Sequence, residues 1–257
     1  MKKQYAQNMI DFIQNSPCSF LAVENSEIQL KENGFICLNN VDNWQLNEGG
    51  KYYITRNGST LIAFIIGKDA NKDGFKLIGS HTDSPSFVIK PNCEIKVNDN
   101  YLKLNTEGYG GMILSTWLDR PLSIAGRVIL KGENIFTPKT KTIDFKRPIA
   151  IIPNLAIHLN REINNGHKYS KQNEMLPILS LTGENFNEKG YIYELIAKEI
   201  NVVKDDILDY ELFLYEAEKG SLIGLNDEFI SCSRLDDLMM VYNSLQAFLT
   251  YSKNNNY

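Results

Sequence analysis

The stretch Phe75–Pro85, with the sequence FKLIGSHTDSP, most constrains how this chain folds. An apolar run passes through a Gly-Ser pair to reach His81, and Asp83 follows two positions later. An apolar run that ends at small residues is typical of a buried strand carrying a polar residue at its carboxyl end. In α/β folds this edge of the sheet holds ligands and catalytic groups. The pattern therefore predicts a strand over Phe75–Ser80 with a functional residue just beyond it.

The spacing of His81 and Asp83 allows two interpretations. If the chain stays extended, alternate side chains share a face, so the two residues can touch. A carboxylate bonded to one ring nitrogen fixes the tautomer and leaves the other nitrogen free to bind a metal. In the alternative, Asp83 caps a backbone N–H in a turn and His81 has no chemical role. The spacing alone leaves both open, because short motifs often match by chance.

Composition excludes several classes of protein. The chain has 257 residues, 43% of them hydrophobic, which is enough for a sizeable core and one or two domains. A net charge of −4 with 23% charged residues gives no basic footprint for nucleic acid and no polybasic patch for a membrane. The four cysteines lack CxxC spacing, as expected of reduced thiols inside a cell. With no signal-peptide pattern and no membrane-spanning run, we expect a soluble, cytoplasmic protein.

The order of predicted elements indicates two regions. Helices over Tyr5–Gln14 and Ser19–Glu32 precede a hairpin with an Asn-Gly turn, a combination typical of a layered α/β unit. After Pro91 the chain changes to short strands punctuated by Gly, Pro and Asn, which predict a β-rich region built as a barrel or sandwich. We therefore expect an α/β unit before Pro91, a β-rich region after it, and a further boundary near Gly220–Gly224.

Within the β-rich region, strands and one helix are expected at specific positions. The strands are predicted at Glu94–Val97, Tyr101–Leu104, Ile113–Trp117, Leu122–Leu130, Pro148–Ile152 and Tyr210–Tyr215, and the helix at Glu188–Ile200. The polar stretch Asn160–Asn173 predicts a surface loop in which His167 is solvated.

The last predicted helix opens with two carboxylates, Asp236 and Asp237. A carboxylate in the first turn is favoured by the helix dipole, by about 0.3–1 kcal/mol when exposed. One interpretation is that an Asp caps the helix. The other is that Asp236 is a metal ligand held ionised by the backbone amides, and the sequence pattern leaves both possible.

Five short stretches are weak signals singly but a strong signal as an ordered set. They are WQL at 44–46 with KYYITRN at 51–57, GSHTDSP at 79–85, YGG at 109–111 with TWLDR at 116–120, IPNLAIHLNR at 152–161, and FIS at 229–231 with RLDD at 234–237. In this order they resemble the M18 family of metallo-aminopeptidases, the aspartyl aminopeptidase and aminopeptidase I group. The YGG and IPNLAIHLNR segments argue against other dinuclear peptidase families with the same histidine–aspartate logic.

The resemblance implies a fold, an activity and an assembly. It implies a zinc-peptidase α/β catalytic domain, phosphorylase/hydrolase-like, at 1–90 and 222–257, and an inserted dimerisation domain at 91–221. It implies two zinc ions per complete active site, with Mn or Co as alternatives. The implied substrates are peptides that lose N-terminal residues, acidic ones among the candidates. The implied assembly is a homo-oligomer of dimers, up to a dodecamer.

The resemblance also assigns roles to single residues. His81 matches a ligand of one metal, Asp236 matches the carboxylate that bridges both, and Asp83 matches the residue that orients His81. His158 matches a histidine that reaches a neighbouring subunit's active site, although its apolar neighbours also fit a histidine in the core. The family commonly has Asn where this chain has Asp237, so the resemblance gives that carboxylate no role.

Several parts implied by the resemblance are missing from the sequence. The family's later ligands and its Glu-Glu pair, which supplies the base, have no counterpart, since the chain contains no Glu-Glu dipeptide. We therefore expect the N-terminal portion of an aminopeptidase that is inactive alone. The alternative is a non-catalytic oligomerisation module or a vestigial, truncated peptidase.

Overall fold

The structure, a computed structural model, describes residues 2–183 and 189–253 and divides into two compact units. Unit 1 comprises Met1–Ser84 and Lys219–Tyr257, and unit 2 comprises Pro85–Glu218. The boundaries expected from the sequence lie a few residues away. Both units combine helices with β-sheet, so the predicted mixed α/β class is confirmed.

The helices and strands are named in chain order. The helices are α1 (Lys2–Gln14), α2 (Ser19–Glu32), α3 (Ala70–Asp73), α4 (Tyr191–Ile200) and α5 (Leu235–Tyr251), with short 3₁₀ helices at Leu114–Trp117, Ile163–Asn165 and Lys204–Asp206. The strands are β1 (Ile36–Cys37), β2 (Lys51–Arg56), β3 (Thr60–Ile65), β4 (Ser86–Val97), β5 (Tyr101–Tyr109), β6 (Leu122–Leu130), β7 (Lys139–Asp144), β8 (Ile178–Leu181), β9 (Ile207–Glu216), β10 (Ser221–Ile223) and β11 (Phe229–Ser231).

The sheet of unit 1 follows the predicted hairpin. Strand β2 pairs antiparallel with β3 and parallel with β1. The turn residues Asn57 and Gly58 have φ values of 52° and 67°. Because Asn and Gly enter this left-handed region at the lowest steric cost, their dipeptide places the turn where the sequence predicts it.

Helix α5 is held along its length by the rest of unit 1. One apolar cluster joins its first half to α1 and α2, and a second joins its second half to α2 and β2. The first consists of Met9, Phe12, Ile13, Ala22, Leu238, Val241 and Tyr242, and the second of Leu30, Phe35, Tyr53, Leu245 and Leu249. These contacts fix the start of α5, where the two predicted aspartates lie.

The prediction of a strand over Phe75–Ser80 is wrong. The described chain has no regular secondary structure from 74 to 85, and β3 pairs only with β2 in the described sheet. The side chains of Phe75, Leu77 and Ile78 are 68%, 90% and 67% exposed. A strand needs a hydrogen-bonded neighbour, and no described segment supplies one here.

Unit 2 is built on a six-stranded sheet with the order β7-β6-β9-β4-β5-β8. The sheet is open, with β7 and β8 at its edges, so the barrel-like form expected for this region is not found in the described residues. Isolated bridges link Leu122 with Ala150 and Ile151 with Ile178 without forming a continuous ladder. Helix α4 covers the core through Ile192, Ile196 and Ile200; Glu188, its expected first residue, lies outside the described residues.

Two further strand predictions in unit 2 are wrong. The segment predicted as a strand at Ile113–Trp117 forms a 3₁₀ helix, because the Thr116 hydroxyl donates to the carbonyl of Ile113 at 2.7 Å. Such local side-chain hydrogen bonds compete with a strand ladder. Trp117 then packs edge-on against Phe87, with ring centroids 5.1 Å apart. The expected strand Pro148–Ile152 is reduced to single bridges. No helix in the described chain combines the length and apolarity needed to cross a bilayer.

Candidate metal centre

Hydrogen bonds within unit 1 hold the irregular segment that carries His81. The backbone N–H of His81 donates to Oδ2 of Asp237 at 2.9 Å. The Thr82 hydroxyl donates to the Ser59 carbonyl, next to the β2–β3 turn, at 2.8 Å. The Ser84 hydroxyl donates to the carbonyl of Asp236 at 3.0 Å. Residues 81–84 are therefore fastened to the hairpin on one side and to the start of α5 on the other.

The start of α5 does not support the capping interpretation of Asp236. The cap position is Arg234, which makes no side-chain capping hydrogen bond. Asp236 itself departs from helical geometry, with φ −88° and ψ 110°, and its side chain is 85% exposed. Its carboxylate is therefore available on the surface, beside the imidazole of His81.

Folding brings together three groups that can bind a metal. Nε2 of His81 lies 3.3 Å from Oδ1 of Asp236 and 3.8 Å from Oδ2 of Asp237. One ligand atom from each residue lies within 4.8 Å of the others. Ligands about 2.0–2.2 Å from a tetrahedral zinc lie roughly 3.3–3.6 Å from each other. The His81–Asp236 pair already has this spacing, so its donor atoms fit a zinc ion.

The orientation of the His81 imidazole directs Nε2 toward Asp236 and leaves that nitrogen available to a metal. Nδ1 of His81 lies 3.0 Å from the carbonyl oxygen of Asp83 and 3.4 Å from its carboxylate. Asp83 is therefore next to His81 as predicted, but the shorter contact is to its backbone oxygen. A carbonyl that accepts from Nδ1–H selects the tautomer with the lone pair on Nε2, the nitrogen facing Asp236.

Opposing effects act on the pKa of His81. Desolvation lowers it, but the hydrogen bond to the Asp83 carbonyl and the charges of Asp237, Asp83 and Asp236 raise it more, so the pKa lies above the ordinary value of 6.5. The excess of negative charge around the imidazole is the electrostatic environment that a bound cation would neutralise.

The two other histidines lie in unit 2 and differ in their surroundings. His158 lies in a turn and is exposed, so the interpretation as a core histidine is wrong. The expectation that His167 is solvated is also wrong. Nε2 of His167 lies 2.6 Å from Oε1 of Glu174, and its ring packs edge-on against Tyr169. His167 therefore fastens the loop in which it lies.

Sequence reasoning missed the part played by Asp237. It gave His81 and Asp236 as candidate ligands and Asp83 as a neighbour, and these three side chains do lie together. The only signal for Asp237 was its position directly after Asp236, in a segment already singled out. Its contact with the backbone of His81 comes from the tertiary structure alone.

A family model and the curated relatives both give the M18 family. The family model for the aminopeptidase I zinc metalloprotease (M18) matches residues 12–257. A probable M18 family aminopeptidase 2 of Clostridium novyi (strain NT) is 50% identical over 247 residues, covering 96% of this chain and 57% of that protein. The corresponding protein of Clostridium acetobutylicum has the same identity and coverage. The chain thus spans little more than half the length of these relatives.

Solved structures share the fold. The structure of an Ape4 and Nbr1 complex matches 98% of this chain and 51% of the compared chain, with a TM-score of 0.93 and 34% identity. The mApe1 dodecamer of S. cerevisiae matches 98% of this chain and 57% of its own, with a TM-score of 0.82 and 28% identity. From the family match over almost the whole sequence and the identity to its relatives, we conclude that the chain belongs to the M18 family of zinc metallo-aminopeptidases.

Proposed function

We propose that this chain supplies part of the active site of a dinuclear zinc aminopeptidase that removes single residues from the N-termini of peptides. The observation that carries the proposal is the 3.3 Å separation of His81 Nε2 and Asp236 Oδ1, which come from distant parts of the sequence. His81 and Asp236 would be the ligands, and Asp236 would bridge the two ions. The family match and the names of the relatives support the reaction class.

The chemistry divides between the metal and the protein. Zinc, when bound, polarises the scissile carbonyl and lowers the pKa of its bound water toward neutrality. His81 and Asp236 would hold the cation. The carbonyl of Asp83 keeps the imidazole in the tautomer that binds metal through Nε2. The Asp236 carboxylate is 85% exposed, so a cation can reach it from solvent.

A complete site needs more than these residues. Two ions about 3.5–4 Å apart need further ligands and a base for the attacking water. The cluster found in the described chain offers three side chains. We propose that the rest comes from polypeptide equivalent to the part of the M18 relatives that this chain does not match, and that residues 1–257 alone do not hydrolyse peptides. The exposed apolar run Phe75–Ile78, directly before His81, is a surface such polypeptide would cover.

Assembly and location belong to the same proposal. One solved relative is a dodecamer, and we propose a homo-oligomer whose dimer is formed by unit 2. The exposed position of His158 is compatible with a contact to a neighbouring subunit's active site. Cytoplasmic location remains the expectation, as the scattered cysteines suggest. The preferred N-terminal residue, acidic or otherwise, would be read from a panel of aminoacyl substrates.

A second candidate is a non-catalytic oligomerisation module with a vestigial metal site. The observation that favours it is the small ligand set, with one imidazole and two carboxylates in the described cluster. In this case the chain would assemble through unit 2 without ever forming a working peptidase.

Metal binding and complementation test the proposal. The purified chain and its His81→Ala variant are titrated with zinc, and both are assayed for aminopeptidase activity with and without the unmatched C-terminal part of the Clostridium acetobutylicum relative. We expect zinc binding by the parent, its loss in His81→Ala, and activity only in the mixture. Equal zinc binding by both proteins, or a mixture as active with His81→Ala as with the parent, would overturn the proposal. Oligomers that bind no zinc and gain no activity would favour the non-catalytic module.

A further inference from the structure

The second aspartate of the pair differs from the first in its surroundings. The Asp237 side chain is 17% exposed, whereas that of Asp236 is 85% exposed. Its Oδ2 accepts a hydrogen bond from the backbone N–H of His81 at 2.9 Å. The proposed function assigns no role to Asp237. We infer that Asp237 is a positioning residue: its carboxylate holds the backbone of His81 and so sets the distance between the imidazole and Asp236. This inference rests on the proposed metal site.

The need for such a residue follows from the local backbone. In the described structure no strand ladder holds the segment before His81, and its apolar side chains are exposed. The hydrogen bonds at Thr82 and Ser84 fasten later residues of the segment. The bond from Asp237 acts on His81 itself. It is also charge-assisted, and such bonds are stronger than those between neutral groups.

The alternative role for Asp237 is that of a third metal ligand. Its Oδ2 lies 3.8 Å from Nε2 of His81, farther than the 3.3 Å of Asp236 Oδ1. The same oxygen is already occupied by the backbone N–H. These two observations favour positioning over ligation.

The two roles predict different results for a conservative replacement. The amide oxygen of Asn accepts the same backbone hydrogen bond but lacks the charge and is a poor zinc ligand. Under positioning, Asp237→Asn keeps the imidazole in place, and Asp237→Ala releases it. Under ligation, both substitutions remove the donor. Asp227→Asn, at an exposed carboxylate of unit 1 paired with Lys3 at 2.7 Å, is a matched control for loss of one negative charge.

The experiment measures zinc affinity of the full 257-residue chain by competition with a chromogenic chelator. We expect Asp237→Asn and Asp227→Asn to stay within about threefold of the parent, and Asp237→Ala to bind about 10–100-fold more weakly, as for loss of a residue that orients a ligand. Equal losses in Asp237→Asn and Asp237→Ala would overturn the inference in favour of ligation. An unchanged affinity in Asp237→Ala would overturn it outright.

Amide hydrogen exchange at His81 gives a second readout that needs no metal. Positioning predicts slow exchange of the His81 N–H in the parent and in Asp237→Asn, and fast exchange in Asp237→Ala. Equally fast exchange in all three would contradict it. Circular dichroism of each variant reports folding. If the parent binds no zinc, or His81→Ala binds as well as the parent, the proposed metal site fails, while hydrogen exchange still decides whether Asp237 holds His81.

Discussion

The two units of the molecule have apolar core clusters of different sizes. Unit 2 has one large core cluster, contributed by both the six-stranded sheet and α4. Unit 1 has two smaller clusters on α5 and leaves the run Phe75–Ile78 exposed. Both units leave some apolar side chains exposed, Ile135 and Phe136 of unit 2 among them, so the difference lies in the size of the core clusters. The candidate metal centre lies in the unit with the smaller clusters, directly after the exposed run Phe75–Ile78.

A matched pair of leucines should give the largest effect. Leu104 of β5 is fully buried in the core of unit 2, whereas Leu77 of unit 1 is 90% exposed. Because a cavity forms only at the buried site, Leu104→Ala should lower the free energy of unfolding of unit 2 by about 2–5 kcal/mol. Leu77→Ala should change that of unit 1 by no more than about 0.5 kcal/mol.

The two tryptophans allow each unit to be followed separately. Trp44 lies in unit 1 and Trp117 in unit 2, so urea unfolding is measured by fluorescence in Trp44→Phe and Trp117→Phe backgrounds. A large decrease in the free energy of unfolding for Leu77→Ala would contradict the contrast between the two leucines, because it would mean that the run before His81 is buried in the isolated chain.

Thiol labelling sharpens the same comparison with a smaller perturbation. Cys93 of unit 2 is buried, and desolvation raises the pKa of its thiol to about 12, so the reactive thiolate is scarce at neutral pH. Cys37 of unit 1 is exposed. With a disulfide reagent at pH 8, Cys37 should react within minutes and Cys93 only after denaturant is added. Single-cysteine variants identify each signal, and rapid native labelling of Cys93 would contradict a closed core in unit 2.

The smallest effect is expected from the hydrogen bonds of Glu174 with His167 and Ser170, which hold a loop of unit 2. Hydrogen bonds from the backbone N–H of Ser170 and from His167 lower the pKa of Glu174 below its usual 4.5. A carboxylate with a lowered folded pKa stabilises the native state above its unfolded pKa, and this contribution is lost as the pH falls through the folded value. Unit 2 should therefore lose a little stability as the pH drops below about 4.5.

The variant Glu174→Gln tests this pH dependence. It should be slightly less stable than the parent at pH 7 and should lack this part of the decline in acid. Unfolding of unit 2 is followed through Trp117 at a series of pH values. A parent and variant that decline in parallel would show that Glu174 does not contribute.

Particular residues mark where sequence-based prediction succeeded. The Asn57-Gly58 turn, the bounds of α2 and the full length of β6 follow from local rules, since turn stereochemistry, helix periodicity and strand alternation act over a few residues. His81, Asp83 and Asp236 were singled out from short motifs, and the structure places them together. Their roles as ligands and orienting residue remain proposals.

Other residues mark where sequence-based prediction failed. Leu155, Ile157 and Leu159 around His158 suggest a core position, yet all three are exposed. The apolar segment at Ile113–Trp117 forms a 3₁₀ helix because Thr116 bonds to a neighbouring carbonyl. In both places the segment is apolar, as the sequence shows. Its burial and its hydrogen bonds, however, depend on the segments packed against it, and the local sequence does not specify those.

The sequence by itself determined helix α2, strand β6, the turn at Asn57-Gly58 and the family to which the five motifs point. Only the tertiary structure decided that Phe75–Ser80 has no strand partner among the described residues, and that the shorter contact of Asp83 with His81 is through its carbonyl. It also decided that Asp237 accepts a hydrogen bond from the His81 backbone. The physical reason is that a helix or a turn satisfies its hydrogen bonds within a few residues, whereas a strand or a metal site needs groups that are distant in sequence.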